Sequence, residues 1–501
     1  MNQVKTGAIL SYVLIFLNNI IKLAYTPFLI RSLGQSEFGL YSLAAATIGY
    51  LTIMDLGFGN SIIRFTAKYR ALGDEETQNN LHGMFIAIYA VLGIIVALCG
   101  TILYLNAGTI FSNSMNTEEL EKIKILMALL TFNLAITFPF SIYGSIIISH
   151  ERFIFSKLVN LFRIITNPLI MIPLLFYGYK SIALVVVMTV LNIIVLGTNF
   201  YYCKTKIKIN PTFGFFDKKL FKEVLGYSFY IFLGVIVDQI YWSTGQFILG
   251  AIAGTVMVAV YAVAITIRSL YLSFSSSIVS VLLPRVTQMV TAKVSNQELT
   301  NIFIKVGRIQ FLILSFILSG FILFGQKFVI LWAGKDYSEA YLMALFILIP
   351  ISIPLIQNLG ITILQAKNQQ KFRSIVYVLI AIVNIILSIP LAKQYGGLGC
   401  AMVTGGSLLL GNGLIMNIYY HKVIKLNIIE FWTQIIKMAL PVLGVVILYY
   451  SFNYFVSVPN STILYFVQIL IYGCFFILSM WFFGMNNYEK QLIKTLLKIS
   501  K

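Results

Sequence analysis

The stretch Tyr201-Tyr202-Cys203-Lys204-Thr205-Lys206-Ile207-Lys208-Ile209-Asn210 returns, one residue shorter, as Tyr419-Tyr420-His421-Lys422-Val423-Ile424-Lys425-Leu426-Asn427. The echo continues upstream. Phe153 answers to Phe372, Tyr177-Gly178 to Tyr395-Gly396, Ala183 to Ala401, and, much earlier, Gly34 and Tyr41 to Gly254 and Tyr261. The offset drifts only from 220 to 218 along the way, so most of the chain is a duplication. Two homologous halves in so apolar a chain are the mark of a secondary transporter.

Of 501 residues, 59% are hydrophobic and 11% charged, against about 25% charged in soluble domains. A surface with so few charges needs the bilayer as its solvent. Apolar runs of about 20 residues, the length that crosses a hydrocarbon core, recur from end to end. They predict fourteen crossings, at 7–30, 39–63, 81–105, 124–149, 154–178, 180–202, 224–249, 252–283, 303–325, 339–364, 374–393, 396–420, 432–455 and 461–484. Barrel strands are excluded, because these runs are twice the length a strand needs and show no alternation. The expected fold is therefore an all-α integral membrane protein.

With a cytoplasmic N-terminus, 25 of the 36 Lys and Arg residues fall in inner loops and tails, including Lys5, Arg285, Lys293, Arg308, Lys498 and Lys501, and seven fall in outer loops. That asymmetry follows the positive-inside rule and puts both termini in the cytoplasm. The net charge of +19 is thereby explained by an anionic leaflet rather than by nucleic acid. The first apolar run is too long for a signal peptide and carries Asn18, Asn19 and Lys22. The four cysteines show no metal-ligand spacing and read as packing residues.

Six crossings per half return the chain to its starting side, so the halves are parallel repeats. Residues 1–203 form one six-helix lobe, 204–223 a basic cytoplasmic linker, and 224–421 the second lobe. Residues 422–501 add two helices and a basic tail. Nothing between crossings is long enough for a soluble domain.

Ionisable groups at membrane depth cost roughly 2.5–3.5 kcal/mol each on insertion scales, and so mark cavities or partners. The first crossing carries Asn18, Lys22 and Thr26 on one face; shifted by 220, the seventh carries Asp238, Trp242 and Gln246. Both stripes are expected to face a shared cleft, although Asn18 and Gln246 would serve equally to bond neighbouring helices. Arg163, Arg268 and Asp55 complete the candidates. Asp238 and Arg268 are at matching depth and are read as a candidate ion pair, whereas Lys22 and Asp55 lie about 10 Å apart along the axis and are not. The balance of three cations to two anions suits an anionic substrate. Pro350 and Pro354, Pro168 and Pro173, and Pro390 are expected to kink or end crossings 10, 5 and 11. Ser273, Ser275, Ser276 and Ser277 in crossing 8 suit a close or water-lined face.

The opening Arg31-Ser32-Leu33-Gly34 and Phe38-Gly39-Leu40-Tyr41, followed by Asp55-Leu56-Gly57-Phe58-Gly59 and Arg64, resembles the polysaccharide-biosynthesis flippases of bacteria. These are the Wzx-type O-antigen and capsule exporters of the multidrug/oligosaccharidyl-lipid/polysaccharide (MOP) superfamily. The likeness spans the chain in helix count, six-plus-six duplication, two extra helices and length. It implies a MATE/MOP-like pair of lobes around a cationic cavity. Its substrate would be an undecaprenyl-diphosphate-linked oligosaccharide, flipped from the cytoplasmic to the outer leaflet of the bacterial cell membrane by alternating access. It also implies a groove for the prenyl tail formed with crossings 13 and 14, and polymerase and chain-length proteins as pathway partners. The related lipid II carriers have more arginines early in the first crossing; this chain offers Lys22 and Arg31, which counts against a peptidoglycan-precursor role.

The expected function is thus a lipid-linked oligosaccharide flippase with no resident cofactor, coupled to H+, Na+ or the membrane potential through Asp238 or Asp55. Two alternatives stand beside it: a multidrug or cation exporter of the same superfamily, and an integral-membrane enzyme of glycan assembly. Small outer loops, only three histidines (His82, His150 and His421) and the lack of a nucleotide-binding loop weigh against the enzyme.

Overall fold

A computed structural model of the chain describes residues 3–213, 217–292, 294–367, 369–455 and 461–499, without the side chains of residues 4, 5, 8, 230, 277–287, 290, 291, 453–455 and 496–499. Lys293 and Lys501 lie outside the described residues, as do the side chains of Lys5, Arg285, Lys498 and Ser277.

Every element described is helical. In chain order they are α1 (Gln3–Leu33), α2 (Gln35–Gly49), α3 (Phe58–Leu72), α4 (Glu75–Phe111), α5 (Thr117–Ser149), α6 (Phe153–Phe176), α7 (Ser181–Tyr202), α8 (Lys218–Ile252), α9 (Gly254–Thr291) and α10 (Asn296–Trp332). They continue with α11 (Ala340–Ile356), α12 (Leu359–Ala366), α13 (Gln370–Leu408), α14 (Met416–Lys422), α15 (Ile428–Phe455), α16 (Thr462–Ser479) and α17 (Asn487–Ile499). In hydrocarbon a helix satisfies its backbone within itself, which is why apolar runs of this length take no other form. The helix ends show the same need for partners. Gly73, at φ +69°, closes α3, and Asp74 then caps α4 by accepting from the Thr77 amide at 2.9 Å. Asn116 and Glu119 cap α5 reciprocally.

Among the described residues, twelve helices are long and apolar enough to cross a membrane, or thirteen when the bent pair α11 and α12 counts as one span. The difference from fourteen lies in Gln370–Lys422. This 53-residue stretch covers the two crossings expected at 374–393 and 396–420, and its backbone leaves helical geometry at Gly396 (φ 57°, ψ −134°).

Proline proves a poor guide to the breaks. α6 runs through Pro168 and Pro173, and α13 runs through Pro390 as far as Gly396. α11 contains Pro350 and Pro354, and the chain bends by 45° just beyond them before α12. A further interruption, with no proline, is at Asp55-Leu56-Gly57, between a 3-10 turn and α3, where Leu56 and Gly57 adopt left-handed φ of 52° and 73°. The breaks do not follow the duplication either: the equivalent of Leu56 falls within the unbroken α9, and that of Gln357 within the unbroken α5.

The chain packs as two compact units, Met1–Val263 with Tyr377–Cys400, and Ala264–Val376 with Ala401–Lys501. The boundaries fall within α9 and α13, whereas the repeat boundary expected from sequence lies before α8. In the first unit, Phe58, Phe85, Tyr89 and Phe138 form an aromatic core beside the helix break. There Gly39 meets the Thr255 carbonyl so closely that a Cβ would sit 2.0 Å from its oxygen. In the second, Phe324, Met438, Tyr465, Tyr472, Phe476 and Met480 pack α10, α15 and α16 together.

Candidate functional site

The break in the second crossing explains one candidate. Asp55 accepts a hydrogen bond of 2.7 Å from the Tyr89 hydroxyl, and its carboxylate lies beside the backbone amides of Gly57 and Gly59. Those amides are donors left orphaned where α3 begins, and an acidic side chain there satisfies them. Asp55 is therefore held as the cap of a half-helix, with Tyr89 as its partner.

The other candidates of the first unit differ in exposure. Asn18, Lys22 and Thr26 lie half-exposed along α1; Trp242 and Gln246 are half-buried on α8; Arg163 on α6 and Asp238 on α8 are exposed. The neighbouring face of α8 is the one committed to packing. Ser228 pairs with Ser61 at 2.6 Å, Thr244 with Tyr50 at 2.6 Å, and Gln239 donates to Ser243 at 2.5 Å against Gly49. The sequence stripe and the packing stripe are thus offset around the helix, and Asp238 stands clear of the hydroxyl seam. Arg268 belongs to the second unit and is 9% exposed, while Asp238, read with it as a candidate pair, belongs to the first.

A carboxylate network missed by the sequence reading holds the end of the first unit where α1 stops and α2 starts, the end assigned to the outside by the basic-residue count. Glu37, buried, accepts from Lys122 at 2.7 Å and from the Ser181 hydroxyl. Glu119 accepts from Ser36 at 2.6 Å and from Thr255 at 2.7 Å. One carboxylate therefore grips the starts of α2 and α9, which follow the repeat mates Gly34 and Gly254. The spacing of Asn116 and Glu119 is a capping-box signal that could have drawn attention to Glu119, but its distant partners leave no mark in the sequence.

In the second unit, an apolar groove of about 330 Å3 runs between α9, α10 and α16, lined by Tyr271, Phe316, Gly320, Phe324, Tyr465 and Tyr472. Of the two added crossings, only α16 lines it; α15 packs behind. The turn between α11 and α12 is pinned by Gln357, which donates to Asn417 at 2.7 Å, and Trp432 donates to the same Asn417 oxygen at 2.9 Å. Arg308, counted among the basic residues of the inner loops, is instead buried. It donates to both oxygens of Glu489 at 2.6 and 2.9 Å and to the Gly484 carbonyl.

This multi-pass helical fold, with ionisable groups accessible in mid-span, is that of MOP-superfamily flippases and exporters. The lipid II flippase MurJ in an inward closed conformation matches with a TM-score of 0.71 at 15% identity, over 95% of this chain and 97% of that one. An inward-facing multidrug resistance transporter of the MATE family matches with a TM-score of 0.63 at 14% identity, over 79% and 92%. The profile of the polysaccharide biosynthesis protein family covers residues 4–290, and the chain belongs to that family. A Shigella flexneri protein assigned to O-antigen transport is 23% identical over 75% of this chain and 88% of its own length. The Bacillus subtilis (strain 168) membrane protein EpsK, itself uncharacterized, is 22% identical over 79% of each.

Proposed function

We propose that the protein flips an undecaprenyl-diphosphate-linked oligosaccharide from the cytoplasmic to the outer leaflet of the cell membrane by alternating access. The observation that carries this reading is the exposure of Arg163 and Asp238 midway along helices long and apolar enough to cross a membrane. A pyrophosphate-sugar head needs a wet, charge-compensated path through hydrocarbon, and accessible charge at that depth is what such a path requires. In the first unit Lys22 and Arg163 would hold the head group, with Asn18, Thr26, Trp242 and Gln246 contacting sugars; Arg268, in the second unit, is a separate candidate for the same substrate. The groove along α10 and α16 would accept the prenyl tail, since its lining is almost wholly apolar. Asp238, exposed on α8, or Asp55 would respond to a coupling cation or to the membrane potential. O-antigen transport by a relative supports a glycan substrate.

Replacing Lys22, Arg163 and Arg268 individually with Gln in a host that depends on this protein for its surface glycan tests the assignment. Loss of surface glycan with normal amounts of membrane-inserted protein is the expected result. Wild-type glycan in all three variants would overturn it, and altered drug susceptibility instead of altered glycan would favour the multidrug reading.

A further inference from the structure

A cleft of about 240 Å3 lies at the end of the first unit where α3 stops, α4 starts, α5 stops and the chain leaves α7. It is separate from the candidates above, and its lining is strongly polar. Arg70 and Lys208 supply two cations, Gln78 and Asn79 supply amides, and Glu75 and His150 supply acceptors.

The cations are presented by the fold. Arg70 is anchored by one hydrogen bond of 2.8 Å from its Nη1 to the Ser149 carbonyl, which leaves the rest of its guanidinium fork for a ligand. Lys208 follows the π-turn Cys203–Ile207 in a left-handed conformation, φ +60°. A residue with a Cβ adopts that region at a cost, and glycine would occupy it freely. The Lys208 ammonium makes no hydrogen bond or ion pair among the described residues. His150 directs Nδ1 to the Ile146 carbonyl at 2.9 Å. Burial, with Arg70 and Arg152 nearby, lowers its pKa and favours the neutral ring, so Nε2 is an acceptor when Nδ1 carries the proton.

Two fixed cations beside a carboxylate and a neutral imidazole fit a ligand that is anionic at one atom and hydroxylated at another. Simple phosphate would use the first pair and be repelled by Glu75. The surroundings point to a lipid. All the elements around the cleft end at the same face of a membrane-spanning unit. Leu72 and Phe213, which flank lining residues in the chain, are 68% and 62% exposed, as expected where acyl chains meet head groups. We propose that this cleft binds the glycerophosphate head group of an anionic phospholipid, with phosphate oxygens on Arg70 and Lys208 and head-group hydroxyls on Glu75 and His150. Basic pockets at helix ends bind such head groups by general electrostatics; the paired acceptors add selection for a polyol. The inference needs only that the chain spans a membrane and is independent of what it transports.

The test uses the full-length protein in phosphatidylcholine nanodiscs titrated with phosphatidylglycerol, with bound lipid counted by native mass spectrometry. Lys208→Gly, which keeps the backbone conformation and removes the amine, and Arg70→Gln should each weaken phosphatidylglycerol binding about tenfold, the loss expected for one charge-assisted hydrogen bond. Lys204→Gln and Lys206→Gln lie on the same basic segment but outside the lining, and should change binding by less than about twofold, as screened surface charges do. Melting temperatures of all variants confirm that they are folded. Equal losses in the two sets would reduce the effect to smeared charge and overturn the proposal. So would equal retention of phosphatidylcholine by the cleft. Competition by free glycerol phosphate at the same affinity would mark a soluble-anion pocket and overturn the lipid assignment.

Discussion

Ser36 and Thr255 donate to the same Glu119 oxygen, at 2.6 and 2.7 Å. They lie near the starts of α2 and α9, helices that the duplication makes equivalents, and so a single carboxylate joins the two repeats at one end of the first unit. In alternating access, that contact has to open when the site faces the outside. A Ser36→Cys/Thr255→Cys pair, in a background with Cys99, Cys203, Cys400 and Cys474 replaced, should cross-link readily because both positions sit within two hydrogen bonds of each other. Cross-linked protein should lose glycan export and regain it on reduction. Export that persists while the link is intact would show that this end does not open.

Glu37 ties Lys122 on α5 to Ser181 at the start of α7. Glu37→Ala removes one of the two carboxylates that Lys122 donates to and leaves the buried Ser181 hydroxyl without its acceptor, and should destabilise the protein by about 1–3 kcal/mol. Thermal unfolding in detergent reads the difference. Glu118, which also pairs with Lys122 but is 75% exposed, should cost less than about 1 kcal/mol when replaced by Ala.

The Arg308–Glu489 pair is 5% and 2% exposed. Removing one partner strands the other charge, so Arg308→Ala or Glu489→Ala should each cost about 3–5 kcal/mol. The double replacement Arg308→Met/Glu489→Leu should be milder than either single change, since no unpaired ion remains. Folded yield and melting temperature measure both. A double variant as unstable as the sum of the singles would contradict the reading that the penalty is desolvation.

Asp55 separates two roles. Asp55→Asn keeps one acceptor oxygen for the start of α3, with the Tyr89 hydroxyl able to turn and accept from the new NH2, whereas Asp55→Ala removes the cap at about 1–2 kcal/mol, as for other lost caps. If capping is the role, Asp55→Asn should export glycan normally and Asp55→Ala poorly. Loss of export in Asp55→Asn at wild-type stability would instead give the carboxylate a part in ion coupling.

Much of the architecture was legible beforehand, for a physical reason. In a bilayer the backbone has to satisfy itself, so a run of apolar residues is sufficient to specify a helix, and each run could be read without knowing its neighbours. The interruptions were read less well. Prolines at 168, 173 and 390 drew attention, yet these helices run on through them, because a long helix packed by its neighbours tolerates one missing bond. The break at Leu56-Gly57 sits in a motif noted only for its family likeness.

The chain alone determined that this is an all-helical membrane protein, which follows from local composition and spacing. Tertiary structure alone decided which ionisable groups are occupied. Asp55 became a cap, Arg308 a buried partner of Glu489, and Glu119 a bridge to residues 83 and 136 positions away. Such pairings depend on which helix faces which, and that is set by the packing of whole helices rather than by the residues beside each charge.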